Sequence, residues 1–218
     1  MTPLLEHPVR HLLARLATDT PRWIVGLAGL PGSGKSTLAA RLAREVNDVA
    51  GPDAAAALGM DGFHLSQAAL RRMPDPEAAF RRRGAPWTFD VAALAGRLRD
   101  LRGAAGQKTA PWPEFGHEVG DPIEAGQTVA AGTRLILVEG LYLLKRDAGW
   151  GDVSGVFDER WYLDTPLDVS LERLARRHIA VWGLTRAEAE ARIAENDGHN
   201  AQLVLETRDG ADWLLAGG

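Results

Sequence analysis

Trp23-Ile24-Val25-Gly26-Leu27-Ala28 leads directly into Gly29-Leu30-Pro31-Gly32-Ser33-Gly34-Lys35-Ser36-Thr37. The first six residues form an apolar run with the length and composition of a buried strand. The next eight satisfy G-x-x-x-x-G-K-[ST] at every fixed position, and a helical pattern follows over Lys35–Val46. Glycines at this spacing let successive backbone N–H groups turn toward one point, where the start of the helix adds its positive end. Such a loop is built to cradle a polyphosphate. Lys35 reaches the terminal phosphates, and the Ser36 hydroxyl suits the shell of Mg²⁺. Gly29 through Thr37 are therefore the expected nucleotide-binding residues, with Lys35 also counted as catalytic.

Further apolar runs repeat the pattern. Ala54–Met60 breaks at Asp61-Gly62-Phe63-His64, and Arg134–Val138 carries four consecutive aliphatic residues before Glu139. Arg160–Leu163 stops at Asp164, and Trp213–Leu215 is a short fifth run. Helical patterns alternate with these strands. Asp90 is placed to cap a helix over Val91–Leu101, Pro166 to open one through His178, and Thr185 with Glu188 to form a capping box for one through about Glu195. Leu5, Val9, Leu12, Leu13 and Leu16 suggest an amphipathic helix within Met1–Thr20. The expected fold is α/β, a P-loop NTPase with a parallel sheet sandwiched between helices and a helical lid at about 173–196. One domain over 1–218 is expected, with an irregular Gly- and Pro-rich excursion at about 103–133 crossing the active face.

Composition narrows the classes. Among 218 residues, 25 Lys and Arg face 29 Asp and Glu, a net charge of -4, so no surface is built to neutralise a nucleic-acid backbone. No apolar run reaches bilayer length and no basic-then-apolar leader is seen, so a cytoplasmic address without a membrane partner is expected. The absence of cysteine excludes disulfides, thiolate metal sites and cysteine nucleophiles. His64, His117, His178 and His199 show no tight metal-ligand spacing, and neither G-x-S-x-G nor G-x-G-x-x-G occurs.

Phosphoryl transfer to a hydroxyl needs a group that orients the acceptor oxygen and relieves it of its proton. Asp61, at a strand tip, is placed for that task, although an Asp before Gly62 also suits an ordinary turn. Glu139 at the end of a core strand is the candidate to hold Mg²⁺ with Ser36. Arg173 and Arg177 lie four apart on one predicted helix, where their charge could stabilise the transferring group. Only Lys35, Lys108 and Lys145 of the 25 cations are lysine, so arginine is also this chain's default surface charge. Arg71, Arg72 and Arg81–Arg83 keep a phosphate-bearing acceptor open, as in a mononucleotide kinase. A slow nucleotide-dependent switch is the third class, but no N-K-x-D motif supports it and Asp61 would have no duty there.

With these residues in place, the chain from about Ile24 to Leu215 resembles the phosphoribulokinase and uridine kinase family of P-loop kinases. Several segments are most similar to its type I pantothenate kinase branch. The resemblance rests on Asp61-Gly62-Phe63, Arg83-Gly84-Ala85-Pro86 with Phe89-Asp90, Phe115-Gly116-His117, and Val138-Glu139-Gly140-Leu141. It implies ATP and Mg²⁺ as cofactors and a small metabolite, such as a nucleoside, sugar or pantothenate-like alcohol, as acceptor. It further implies that Asp61, Phe63, Arg83, His117 and Asn200 line the acceptor pocket, that Arg173 and Arg177 belong to the lid, and that Arg208 lies near the adenine. Pantothenate kinases of this type are longer, so the sequence leaves both the acceptor and a homodimer open.

Overall fold

A computed structural model of the protein describes residues 2–116 and 118–217. In chain order the elements are α1 (Pro8–Leu16), β1 (Trp23–Gly29), α2 (Lys35–Ala50), β2 (Ala55–Gly59), α3 (Gln67–Leu70), α4 (Pro76–Arg81) and α5 (Val91–Gly103). They continue with β3 (Ala110–Gly116), β4 (Asp121–Val129), β5 (Leu135–Gly140), α6 (Trp150–Ser154), β6 (Glu159–Asp164), α7 (Leu167–Trp182), α8 (Arg186–Arg192), α9 (Gly198–Leu205) and β7 (Trp213–Ala216). A five-stranded sheet runs in the order β2-β5-β1-β6-β7, and every adjacent pair is parallel. All its strand ends that carry loops toward the phosphate-binding turn therefore open on one edge.

Alternation along each strand feeds two cores. Val25, Leu27, Leu135, Leu137 and Trp161 pack with Leu12 of α1 and Ala39, Leu42, Ala43 and Val46 of α2. Ile24, Ala28, Ile136, Val138 and Tyr162 face the other way, against Leu94 and Leu98 of α5 and Ala201 and Val204 of α9. Leu174 and Ala175 of α7 form a third, small cluster with Ala189 and Ile193. The expected parallel sheet between helical layers is what the chain builds. Among the described residues, no helix is long and apolar enough to cross a membrane.

Four expectations change. The N-terminal helix is confined to Pro8–Leu16, because Pro8 can open a helix but cannot continue one. The residues before it extend along the sheet edge instead, with Leu5 N–H donating to the Leu214 carbonyl (2.7 Å) and Leu214 N–H to that of Pro3 (2.8 Å). The stretch expected to be irregular at about 103–133 contains β3 and β4, an antiparallel hairpin whose register shifts between Trp112 and Glu114, where the prolines leave the ladder incomplete. Pro166 precedes the first turn of α7 rather than occupying it, and the helix runs past His178 to Trp182. The helix expected to end near Glu195 instead passes through a π-helical turn, Ile193–Asp197, into α9. Asp90 and the Thr185/Glu188 box cap α5 and α8 as the sequence indicates.

Candidate functional site

The glycine-rich loop joins β1 to α2 and is pinned from beneath. Ser33 N–H donates to Leu30 O (3.0 Å), while the Thr165 hydroxyl donates to Ser33 O (3.2 Å). Gly32 has φ +81°, and a Cβ there would lie 2.4 Å from the Ser170 carbonyl of α7, so loop and helix approach as only glycine permits. Leu30, Pro31 and Ser33 are buried, whereas Gly34, Ser36 and Thr37 are exposed. The first amides of α2 thus face outward with no side-chain cap from Gly34.

Strand register brings the acidic residues to this loop. Glu139 of β5 pairs with Gly59, the last residue of β2, and with Leu27 of β1. Asp61 follows in a 3₁₀ turn, Met60–Phe63, and is exposed. Burial pushes the Glu139 carboxyl above the usual carboxylate range. The Lys35 charge pulls it down, Asp61 raises it, and the Ser36 side chain, as a hydrogen-bond partner, lowers it. Lys35, Ser36 and Asp61 thus all bear on the Glu139 carboxyl at the carboxyl edge of the sheet.

A cation site there would be hard and oxygen-rich, which fits Mg²⁺. Among the described residues no three His, Cys, Asp or Glu side chains cluster as a metal cage. The Glu139 carboxylate and Ser36 hydroxyl are oxygen donors of the kind such an ion takes. Arg173 of α7 approaches the same loop, with Nη1 3.5 Å from Ser33 O. Arg177, one turn further on, is exposed, and its charge acts on buried His178 and half-buried Asp197 instead. The two arginines share a helix but not a target.

The acceptor side departs further from expectation. Phe63 is 4% exposed and packs edge-on against Trp112 with ring centroids 5.0 Å apart, so most of the ring is taken up by the core. Arg83 turns its fork on the chain itself, donating to Gly120 O (2.6 Å), Leu65 O (3.0 Å) and Asp121 Oδ1 (3.4 Å). It braces the hairpin against the segment after Asp61. Asn200 is buried, its Nδ2 3.5 Å from Asn196 Oδ1 and its own Oδ1 without a protein partner. Arg208 forms a bidentate pair with Asp164 at the end of β6. The His117 expectation lies outside the described residues.

Two residues at the site escaped the sequence reading. His64, three residues after Asp61, places Nδ1 2.7 Å from the Asp61 carbonyl and packs its ring against Phe89 and Phe115. Its place in Asp-Gly-Phe-His was visible, but the sequence reading weighed it only as a metal ligand. Asn196 owes its position to the π turn, for which the sequence carries no periodic signal.

The profile of the Phosphoribulokinase / Uridine kinase family matches residues 24–208. A Schizosaccharomyces pombe protein provisionally named a uridine kinase is 38% identical over 196 residues, 89% of this chain and 83% of that one. The Escherichia coli K12 protein YggC, itself uncharacterized, is 38% identical over 216 residues, 97% of this chain and 85% of its own. The crystal structure of a Silicibacter sp. TM1040 protein, provisionally named a fructose transport system kinase, superposes with a TM-score of 0.82. It is 34% identical, with 95% of this chain and 96% of that one covered. The phosphate-binding loop, the parallel sheet that presents it and these relationships agree, and the chain belongs to the phosphoribulokinase/uridine kinase family of P-loop kinases.

Proposed function

We propose that the protein transfers the γ-phosphoryl group of MgATP to a hydroxyl of a small metabolite. The observation that carries this reading is that Lys35 and Ser36, at the start of α2 after β1, and Asp61, two residues beyond the β2 residue that pairs with Glu139, all lie at one edge of the sheet. A nucleotide switch needs the first two, whereas phosphoryl transfer to an alcohol also needs a carboxylate facing the phosphates.

In this reading Gly29 through Thr37 hold the polyphosphate, and Lys35 sits against its terminal groups. Ser36 and Glu139 would hold Mg²⁺, which neutralises the developing phosphate charge when bound. Asp61 orients the acceptor hydroxyl and receives its proton. The alcohol oxygen forms a bond to the γ-phosphorus while the bond to the β,γ-bridging oxygen breaks and ADP leaves. Arg173 supports the loop side of the transferring group, and Arg177 accompanies it on the lid formed by α7 and α8. Arg208 lies on the nucleoside side. Asn200, His117 and His64 belong to the acceptor side.

The acceptor is an alcohol without a phosphate group rather than a nucleoside monophosphate: Arg83 donates to chain carbonyls and to Asp121, and Arg82 Nε donates to Asn196. The provisional names of relatives, uridine kinase and fructose transport system kinase, agree with an alcohol acceptor, and the motif likeness to pantothenate kinases adds a third candidate class. Incubation with MgATP and separate panels of nucleosides, sugars, pantothenate and nucleoside monophosphates tests this. ADP release that depends on one alcohol, with a phosphorylated product, is expected. Equal release with every panel and no phosphorylated product would leave only a nucleotide hydrolase.

A further inference from the structure

Asn196 has no role in the chemistry above, yet it joins the two sides of the site. It lies on the π-helical turn between α8 and α9 and is 5% exposed. Its Oδ1 accepts from Arg82 Nε (3.1 Å) and its Nδ2 donates to the Arg83 carbonyl (3.0 Å). The partners fix the orientation of the amide: a flipped group would set donor against donor at Arg82 and acceptor against acceptor at Arg83.

The contacts continue in both directions. Toward the acceptor, Arg83 holds Leu65 O and Gly120 O and approaches Asp121, whose carboxylate accepts the Gln67 amide (2.7 Å). That is the backbone immediately following Asp61 and His64. Toward the donor, Ile193 of the same turn packs with Leu174 and Ala175 of α7, whose Arg173 reaches Ser33 O of the phosphate loop. One carboxamide thus closes a ring of contacts from the phosphate loop, through the lid helices, to the acceptor loop.

We propose that Asn196 is a positioning residue for phosphoryl transfer, holding α7 and α8 in register with the Arg82–Arg83 loop so that the acceptor wall beside Asp61 keeps a fixed distance from the phosphate loop. The π turn supplies the aim: an insertion of this kind rotates side chains that a regular helix would send elsewhere, and is frequent at functional sites. The inference rests on the kinase reading for its consequence, but the linkage can be measured without any acceptor.

The test uses Asn196→Ala and Asn196→Asp in the full chain, at a temperature where both are folded by circular dichroism. Asn196→Asp keeps the shape and the bond to Arg82 but loses the donor to the Arg83 carbonyl. Amide hydrogen exchange is expected to speed up at least tenfold at Gln67 and Gly120 in both variants and to stay unchanged at Ser33 and Leu38. With the alcohol that the panels identify, kcat/KM is expected to fall by about 10- to 100-fold, the cost of a small misplacement of reacting groups. Affinity for a non-hydrolysable ATP analogue is expected to stay within about threefold of the wild type, the ordinary margin for a site whose own contacts are untouched. Wild-type exchange at Gln67 and Gly120 in both variants would overturn the proposal, as would a uniform rise that includes the phosphate loop, which would mark a merely structural residue. If the wild type phosphorylates no alcohol, the kinase reading fails separately, and the exchange data still decide the linkage.

Discussion

Arg208 and Asp164 meet in a two-pronged pair, Nε to Oδ1 at 2.9 Å and Nη2 to Oδ2 at 2.7 Å. The guanidinium holds the Asp164 carboxyl below the usual carboxylate range. Both side chains remain more than a third exposed, so the pair adds roughly 0–1 kcal/mol to stability. Its larger effect is geometric, because a bidentate carboxylate fixes the plane of the guanidinium. Asp164→Asn should therefore leave the melting temperature nearly unchanged. If Arg208 faces the nucleoside, the KM for ATP should rise several-fold while that for the acceptor stays put. Steady-state kinetics in both substrates checks the split, and an acceptor-only effect would move Arg208 to the other side of the site.

Glu139 is the residue for which function opposes stability. Its pKa is raised in the folded chain, chiefly by burial, so the desolvated carboxylate costs stability at neutral pH. That cost disappears as pH falls through the raised value toward the unfolded value, where both states hold the proton. Glu139→Gln should accordingly raise the melting temperature of the ligand-free protein at pH 7 and flatten its rise on mild acidification. The same variant should lose Mg²⁺-dependent turnover by at least about 10²-fold if the carboxylate holds the ion. Thermal melts from pH 5 to 8 and an Mg²⁺ titration of rate measure the two effects. A fall in melting temperature would mean that the carboxylate is stabilised by its neighbours.

Gly62 lies where the hairpin meets the Asp61 turn. A Cβ at this position would stand 2.1 Å from the Pro113 carbonyl oxygen, which is backbone and cannot simply rotate away. Trp112 holds the same junction by donating Nε1–H to Gly59 O at 2.8 Å. Gly62→Ala should displace the hairpin, costing about 1–3 kcal/mol by overpacking. It should also lower turnover more than it lowers affinity for ATP. Urea denaturation together with acceptor kinetics reads both, and unchanged values would show that the junction yields without consequence.

What the sequence disclosed and what it hid follow from the range of the interactions. The phosphate loop is legible because its geometry is set by residues within one turn, and the caps at Asp90 and Thr185 are equally local. Strand ends at Asp61, Glu139 and Asp164 are legible because apolar runs stop there. The hairpin was hidden because Pro111, Pro113 and Pro122 signal a loop, while the buried Trp112 that anchors it contacts Gly59, 53 residues away. The packing of Phe63 and the hydrogen bonds of Arg83 were hidden for a related reason. Their motif neighbours point to the acceptor side, but the partners that claim them, Trp112 for one and the carbonyls of Leu65 and Gly120 for the other, become visible only once the hairpin is in place.

The central claim is that Asp61 acts on the acceptor across a gap from the phosphate loop. Asp61→Asn, nearly the same in shape, isolates the proton-accepting charge. The decisive measurement is single-turnover phosphoryl transfer to the identified alcohol, alongside calorimetric ATP binding. A general-base role for Asp61 predicts ATP affinity close to the wild type and a transfer rate lower by about 10²- to 10⁴-fold, the span expected for loss of a general base. Transfer at the wild-type rate, or loss of ATP binding in step with the rate, would contradict it.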